Sequence, residues 1–185
     1  FDYPFTGQFD GRGYEIRGLE SNRTSALPGT DATGSDWPYG LGLFGVNQGT
    51  IQNLGVADAR LSFLGDQNIS VYCGGIAGRN EGTIENCRSG ATLNDGYPDN
   101  TVVTYDMQTR VISGGICGSN TGLVTQCENN GAVNGMHAGG IAGESLLSSE
   151  ISYCMNLGPV RSLALTKSVS GSQIYTVMLL GSSGG

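Results

Sequence analysis

Carboxylates are the side chains in this sequence that could carry catalysis, because cleavage of a polysaccharide is typically the work of paired Asp or Glu residues. The candidates are Asp58, Glu81, Glu85, Asp95, Asp99, Asp106 and Glu144. Three of them, Asp95, Asp99 and Asp106, share one polar segment that could present a site. Such a segment is more often only a loop, so the acids support an alternative function and not the leading one.

The five cysteines could hold a metal ion or form disulfides, but no two of them have C-x-x-C spacing and the single histidine, His137, has no neighbouring ligands. Three share one position of a repeated segment: Cys87, Cys127 and Cys154. Another copy of the segment has Leu54 at that position, and Cys117 aligns with Ala77. We therefore predict reduced thiols packed in an apolar core, with a disulfide or a metal cluster as the alternative.

Four aromatic residues are candidates for binding a sugar or a protein: Trp37, Tyr39, Tyr97 and Tyr105. They lie in segments that interrupt the repeat, at 20–40, 62–72 and 94–112. Each segment falls between the end of one unit and the start of the next, so stacked units would bring them to one edge. Two interpretations follow: packing of the rings against the scaffold, which is slightly favoured, and a ligand-binding edge formed by these four residues.

Glycine-rich repeats are the elements that must position all of these residues. The segment Gly-Gly-Ile-Ala-Gly at 74–78 recurs at 139–143 and, with Cys in place of Ala, at 114–118, and a divergent copy stands at 41–45. The first three copies in chain order continue in phase through an Asn-containing turn and a segment such as Thr-Ile-Glu-Asn-Cys. The last copy, near 139–160, carries extra residues and lacks the middle glycine, so we expect it to be a terminal coil.

Each unit predicts three short strands separated by turns: Gly-Gly-Ile-Ala-Gly, Thr-Ile-Glu-Asn-Cys, and a third strand such as 91–93. One unit cannot bury its apolar side alone, but stacking would place Ile76, Ile116 and Ile141 above one another. The sequence therefore predicts an all-β fold, a right-handed parallel β-helix (solenoid) with loop insertions along one edge.

Asparagine recurs at one turn of the unit, as Asn47, Asn80 and Asn120, where it tolerates left-handed backbone and can stack on its equivalents. The glycine-rich segments have neither the spacing of a phosphate-binding loop nor a following helix. The recurring asparagines and glycines therefore indicate a structural role and not a phosphate-binding site.

The opening segment, 5–19, places Phe5, Phe9, Ile16 and Leu19 around glycine turns and predicts a preceding coil. It resembles the F-x-G-x-F-D-G-x-G-x-x-I-x-x-L segment of the GLUG-motif family, and the repeats resemble that family's G-G-[IL]-[AV]-G-x-N-x-G-x-I-x-N-C unit. The resemblance implies a β-helical stalk or adhesion module of large bacterial surface or secreted proteins, including adhesin-like proteins and regions of IgA-cleaving metallopeptidases. It implies no catalytic residue, and no H-E-x-x-H segment is present.

A chain of 185 residues predicts one domain, and we expect it to be part of a larger protein with any signal or anchor outside it. Repeat copies lie near 5–19, 41–61, 74–93, 114–133 and 139–160. The net charge of -7 would repel a phosphate backbone, which argues against nucleic acid as a partner. The longest apolar run is only strand-sized, so we expect no membrane insertion.

These observations predict a non-catalytic structural or adhesive module of a bacterial extracellular or cell-surface protein. The expected partner is a glycan or a host surface protein, and no cofactor or metal is expected. The alternative is a polysaccharide-active β-helix enzyme, a lyase or a glycoside hydrolase, that uses acids of the 94–112 insertion.

Overall fold

The computed structural model describes residues 4–23, 39–63, 70–95, 110–146, 148–162, 165–168 and 174–177. These residues form 25 strands of two to five residues and no helix. The chain runs through five successive coils, and each complete coil adds one strand to each of five parallel sheets, which we number I to V in the order the chain visits them. The described residues thus form a parallel β-helix, as predicted.

Sheets I and II begin each complete coil. Sheet I contains β4 (Tyr39–Leu41), β9 (Ser70–Gly74), β14 (Arg110–Gly114) and β19 (His137–Gly139). Sheet II contains β5 (Phe44–Asn47), β10 (Ala77–Asn80), β15 (Cys117–Asn120) and β20 (Ala142–Ser145). The four strands of each sheet come from coils 2 to 5.

Sheets III and IV receive a strand from all five coils. Sheet III contains β1 (Gln8–Asp10), β6 (Thr50–Gln52), β11 (Thr83–Glu85), β16 (Leu123–Thr125) and β21 (Glu150–Ser152). Sheet IV contains β2 (Glu15–Arg17), β7 (Gly55–Ala57), β12 (Arg88–Ser89), β17 (Glu128–Asn129) and β22 (Met155–Asn156). Strands β1 and β2 belong to the opening segment, which confirms that it forms a preceding coil.

Sheet V closes each coil. It contains β3 (Glu20–Arg23), β8 (Arg60–Phe63), β13 (Thr92–Leu93), β18 (Val133–Gly135) and β23 (Val160–Ser162). After the last coil, β24 (Leu165–Ser168) and β25 (Ile174–Val177) form an antiparallel hairpin. Within the described ranges, no helix has the length and hydrophobicity needed to cross a membrane.

Equivalent core positions of successive coils stack directly above one another. Ile84 pairs in register with Ile51 on one side and Val124 on the other, and all three are fully buried. The predicted stack of isoleucines is confirmed, because the amide of Ile76 donates to the carbonyl of Ile116 at 3.0 Å. The amide of Ile116 donates in turn to Ile141 at 2.9 Å. Full burial of one such side chain stabilises the fold by roughly 1.5–3 kcal/mol, so these columns form the core.

The prediction of three strands per unit was wrong, because each complete coil has five. In particular, Gly-Gly-Ile-Ala-Gly is not one strand: β9 ends at Gly74 and β10 begins at Ala77. The corner between them lies close to the opposite side of the coil, since a Cβ on Gly75 would lie 2.0 Å from the hydroxyl oxygen of Ser89. The double glycine is therefore needed for close approach at a corner, which strand-pattern reasoning did not detect.

The predicted asparagine column is buried at the corner between sheets II and III. The side-chain amide of Asn47 donates to the Oδ1 of Asn80 at 2.8 Å, and Asn80 donates to Asn120 at 2.9 Å. Each of the three is at most 1% exposed. The same asparagine side chains also bond within their own turns. For example, the backbone N–H of Gly49 donates to the Oδ1 of Asn47. The asparagines therefore satisfy buried polar groups that the fold creates.

The insertions lie between sheet V and sheet I in every coil that has one. Between coils 4 and 5 the same edge is crossed by Met136 alone. The start of the third insertion is fixed by buried Asn94, whose Oδ1 accepts from the amide of Phe63 at 2.9 Å and whose amide donates to the hydroxyl of Ser113 at 2.8 Å. The described ends of the three insertions therefore lie at one edge, as predicted.

Candidate functional site

The predicted aromatic site lies largely beyond what the structure describes. Trp37, Tyr97 and Tyr105 lie outside the described residues. Tyr39 begins β4, and its backbone pairs in register with Val71 of β9. Tyr39 is therefore placed in sheet I, next to the edge that carries the insertions, and the ligand-binding role of that edge stays a prediction.

Four of the five candidate acids that the structure describes, namely Asp58, Glu81, Asp95 and Glu144, have separate partners. Arg79 contacts Glu81 at 2.6 Å, and Arg17 contacts Asp58 at 2.7 Å. Glu144 in sheet II accepts a hydrogen bond from the hydroxyl of Ser119 at 3.1 Å. Asp99 and Asp106 lie outside the described residues. Among the residues that are described, no group of three or more His, Cys, Asp or Glu side chains could hold a metal ion.

The cysteines are free thiols, and four of the five are buried. Cys87 and Cys127 are 2% exposed and stack in one column beneath Leu54, which confirms the apolar slot. Cys154 continues the column into the last coil, where the amide of Cys127 donates to its sulfur at 3.4 Å. Two other thiols, Cys73 and Cys117, lie elsewhere in the core.

The thiols differ in how readily they ionise. Burial raises the pKa of Cys73 to about 12, and it also raises the pKa of Cys117. Hydrogen bonding to Cys127 lowers the pKa of Cys154 to about 7, against the opposing effect of partial burial. Because Cys154 is the one cysteine that is not buried, it is the one thiol with the exposure and acidity that nucleophilic reaction requires.

A groove of about 450 Å³ lies along the outside of the corner where sheet III turns into sheet IV. Residues of coils 1 to 4 line it, among them Tyr14, Glu15, Asn53, Asn86, Arg88 and Glu128. The groove is therefore formed by equivalent positions of successive coils. Sheets IV and V separate this corner from the insertion edge on one side, and sheets I, II and III separate them on the other.

An expanded corner in coil 1 forms one end of the groove. Four residues join β1 to β2, whereas two residues join the equivalent strands in each of the other four coils. Arg12 and Gly13 take positive φ angles of 51° and 77° in this corner. The backbone nevertheless stays bonded to coil 2, because Gly13 donates to Asn53 at 2.8 Å and Gly55 donates to Tyr14 at 2.9 Å. The expanded corner thus holds Tyr14 out from the solenoid, with 75% of it exposed.

Amide side chains form a ladder along the corner. Asn53 and Asn86 have positive φ angles of 54° and 48°, which suits asparagine. Asn86 donates to the Oδ1 of Asn53 at 2.7 Å, and Asn53 donates to Asp10 at 3.0 Å. The bond from Asn53, helped by the amide of Arg12, holds the pKa of Asp10 below its usual value. The ladder is exposed along its length, in contrast to the buried asparagine column.

The wall of the groove in sheet IV carries charges of both signs. Glu15, Gly55, Arg88 and Glu128 occupy one register position in coils 1 to 4. Arg88 contacts Glu128 at 3.6 Å, and Glu15 is paired with Arg17. A Cβ on Gly55 would lie 2.5 Å from the Cγ of Glu15, so the side chain of Glu15 occupies the space above the glycine. The wall is consequently close to electrical neutrality.

The groove was not predicted from the sequence. Tyr14 stands at an unspecified position of the opening motif, and Asn53 and Asn86 belong to the segment that was predicted to be the second strand of the unit. One signal could have revealed it: aligning 11–14 with 53–54 shows that coil 1 has two extra residues at this corner. Extra residues at a corner must project outward when the flanking strands stay in register.

Comparisons of the chain with protein-family models, with curated proteins and with solved structures give no match. The resemblance to the GLUG-motif family consequently rests on the motifs in 5–19 and in the repeats, and it stays a prediction.

Proposed function

We propose that this chain is a non-catalytic structural and adhesive module of a bacterial extracellular or cell-surface protein, of the GLUG-motif type. In this role the β-helix is a rigid support, and its sides and insertions present binding surfaces. The expected ligand at the insertion edge is a glycan or a host surface protein.

One observation carries the proposal: the buried asparagines that recur from coil to coil hold neighbouring coils together. Asn80, for example, is 1% exposed and hydrogen-bonds to the equivalent residues of both neighbouring coils. The recurring cysteines fill a core column in the same way. Residues fully used by the fold are not available to bind substrate, which favours a scaffold over an enzyme.

The regular stacking also supports a spacer role. Neighbouring strands in a sheet lie about 4.8 Å apart, so five coils extend roughly 20 Å along the solenoid axis. Each coil contacts its neighbours through backbone hydrogen bonds in several sheets. A solenoid of this kind lengthens by adding coils, so the same construction suits a stalk.

Binding and turnover measured on one glycan panel test the proposal. We expect glycans, or immobilised host matrix proteins, to bind without chemical change, and Trp37→Ala to weaken that binding at least tenfold. Tyr153→Asn is the matched control, because Tyr153 is 88% exposed and belongs to the last coil. Release of reducing or unsaturated ends, abolished by Asp99→Asn or Asp106→Asn, would overturn the proposal in favour of a polysaccharide-active enzyme.

A further inference from the structure

We propose that the groove at the corner between sheets III and IV binds an extended, uncharged glycan that lies parallel to the solenoid axis, with one sugar ring against Tyr14. This inference rests on the proposed function, because it treats the chain as a binding module. It adds a site that is separate from the insertion edge.

The ring of Tyr14 is a stacking platform at one end of the groove. It is 75% exposed, and the backbone bonds that flank it fix the expanded corner to coil 2. A largely exposed aromatic side chain adds little to core packing, yet a ring carried on a fixed backbone offers a broad apolar face and has only two side-chain torsions to order on binding. The apolar face of a pyranose is its natural partner.

The amide ladder supplies hydrogen bonds at a regular spacing. An amide side chain has two N–H groups and an oxygen with two lone pairs. The bond from Asn86 to Asn53 uses one N–H of Asn86, which leaves the second N–H for a ligand. Because successive coils are about 4.8 Å apart, equivalent groups repeat at a distance comparable to one sugar residue in an extended chain. Sugar hydroxyls both donate and accept, as amides do.

The charges of the groove favour an uncharged ligand. Arg88 is paired with Glu128, and Glu15 is paired with Arg17, so no excess of positive charge faces the groove from sheet IV. Asp10, at the end of the ladder, adds a negative charge. The whole chain has a net charge of -7, so a polyanionic glycan would be repelled at long range as well.

An extended peptide fits the groove less well than a glycan. Peptides commonly bind by adding a strand to an open sheet edge. At this corner the backbone is already bonded between coils, since Arg88 donates to Leu54 at 2.8 Å and Glu128 donates to Cys87 at 2.9 Å. Recognition must therefore come from side chains, and those present are amides, an aromatic ring and paired charges.

Calorimetric titration of the full 185-residue chain with cellohexaose, xylohexaose, mannohexaose and laminarihexaose tests this inference. Hexagalacturonate is the charged comparison. Tyr14→Ala removes the platform, and Asn86→Gly removes an amide without straining a positive φ. Leu146→Asn is the control, because Leu146 is 52% exposed and lies at the corner between sheets II and III, outside the groove. Thermal unfolding of each variant verifies its fold.

We expect at least one neutral hexasaccharide to bind, and both groove variants to weaken it at least tenfold while Leu146→Asn leaves it unchanged. Binding that Tyr14→Ala and Asn86→Gly leave intact, but that Trp37→Ala abolishes, would overturn the groove site and support the proposed insertion edge. Tighter binding of hexagalacturonate would overturn the uncharged class. If none of the four neutral hexasaccharides binds, the inference is also overturned. Binding of a host protein in that case would leave the proposed function standing.

Discussion

Replacing Asn80 by alanine should destabilise the whole solenoid, because Asn80 stands at the centre of the buried asparagine column. Its Oδ1 accepts from Asn47, and its amide donates to Asn120 and to the carbonyls of Gly82 and Leu123. The two amide hydrogens serve three acceptors, so the side chain makes the equivalent of three hydrogen bonds. Asn80→Ala removes all of them and so breaks the asparagine column on both sides of coil 3.

The expected loss in the free energy of unfolding is about 3 kcal/mol, taking about 1 kcal/mol for each net hydrogen bond. For a chain of this length the melting temperature should fall by roughly 6–12 °C, at about 2–4 °C per kcal/mol. Asn130→Ala is the matched control, because Asn130 makes an exposed side-chain bond to Glu128 at 2.7 Å. That substitution should change stability by less than about 0.5 kcal/mol.

Urea unfolding followed by far-ultraviolet circular dichroism measures both changes, with the midpoint and the slope fitted separately. We expect the midpoint of Asn80→Ala to fall while its slope stays that of the unsubstituted chain. Equal midpoints for Asn80→Ala and Asn130→Ala would refute the reasoning, because the buried column would then contribute no more than a surface hydrogen bond.

Two further predictions concern the thiols and the glycine contacts. Iodoacetamide should modify Cys154 alone in the native chain, at a rate that rises as the pH passes its pKa of about 7, and all five thiols should react in denaturant. Modification of several native thiols, or a rate independent of pH, would contradict this. Gly82→Ala should cost about 1–3 kcal/mol, because overpacking forces the backbone apart. The new Cβ would lie 2.2 Å from the carbonyl oxygen of Gly49. Gly90→Ala is the control, because there the nearest atom to the new Cβ is 3.5 Å away. Equal melting temperatures for the two variants would contradict the close stacking of coils.

The core columns could be predicted because the repeat carries their positions directly. Once Ile76 and Ile116 are recognised as equivalent, in-register stacking places one above the other without further information. The cysteine column followed in the same way, since Leu54 at the equivalent position identified an apolar slot. The asparagine column was predicted from its recurrence at one turn.

Features that depend on contacts across the coil could not be predicted. Gly75 stands at a corner where its backbone lies against Ser89 on the far side of the core, and nothing within the segment reveals that approach. Asn94 joins Ser113 and the carbonyl of Asn134, which belong to another coil. The groove arises from a difference in length between coils, not from a residue pattern.

The central claim is that residues one repeat apart lie directly above one another in parallel, in-register coils. Nuclear Overhauser contacts from the methyl groups of Ile84 test it most directly. The account predicts contacts from Ile84 to both Ile51 and Val124, its partners in the two adjacent coils. Contacts of Ile84 to neither residue, or to a strand that runs antiparallel to β11, would contradict it.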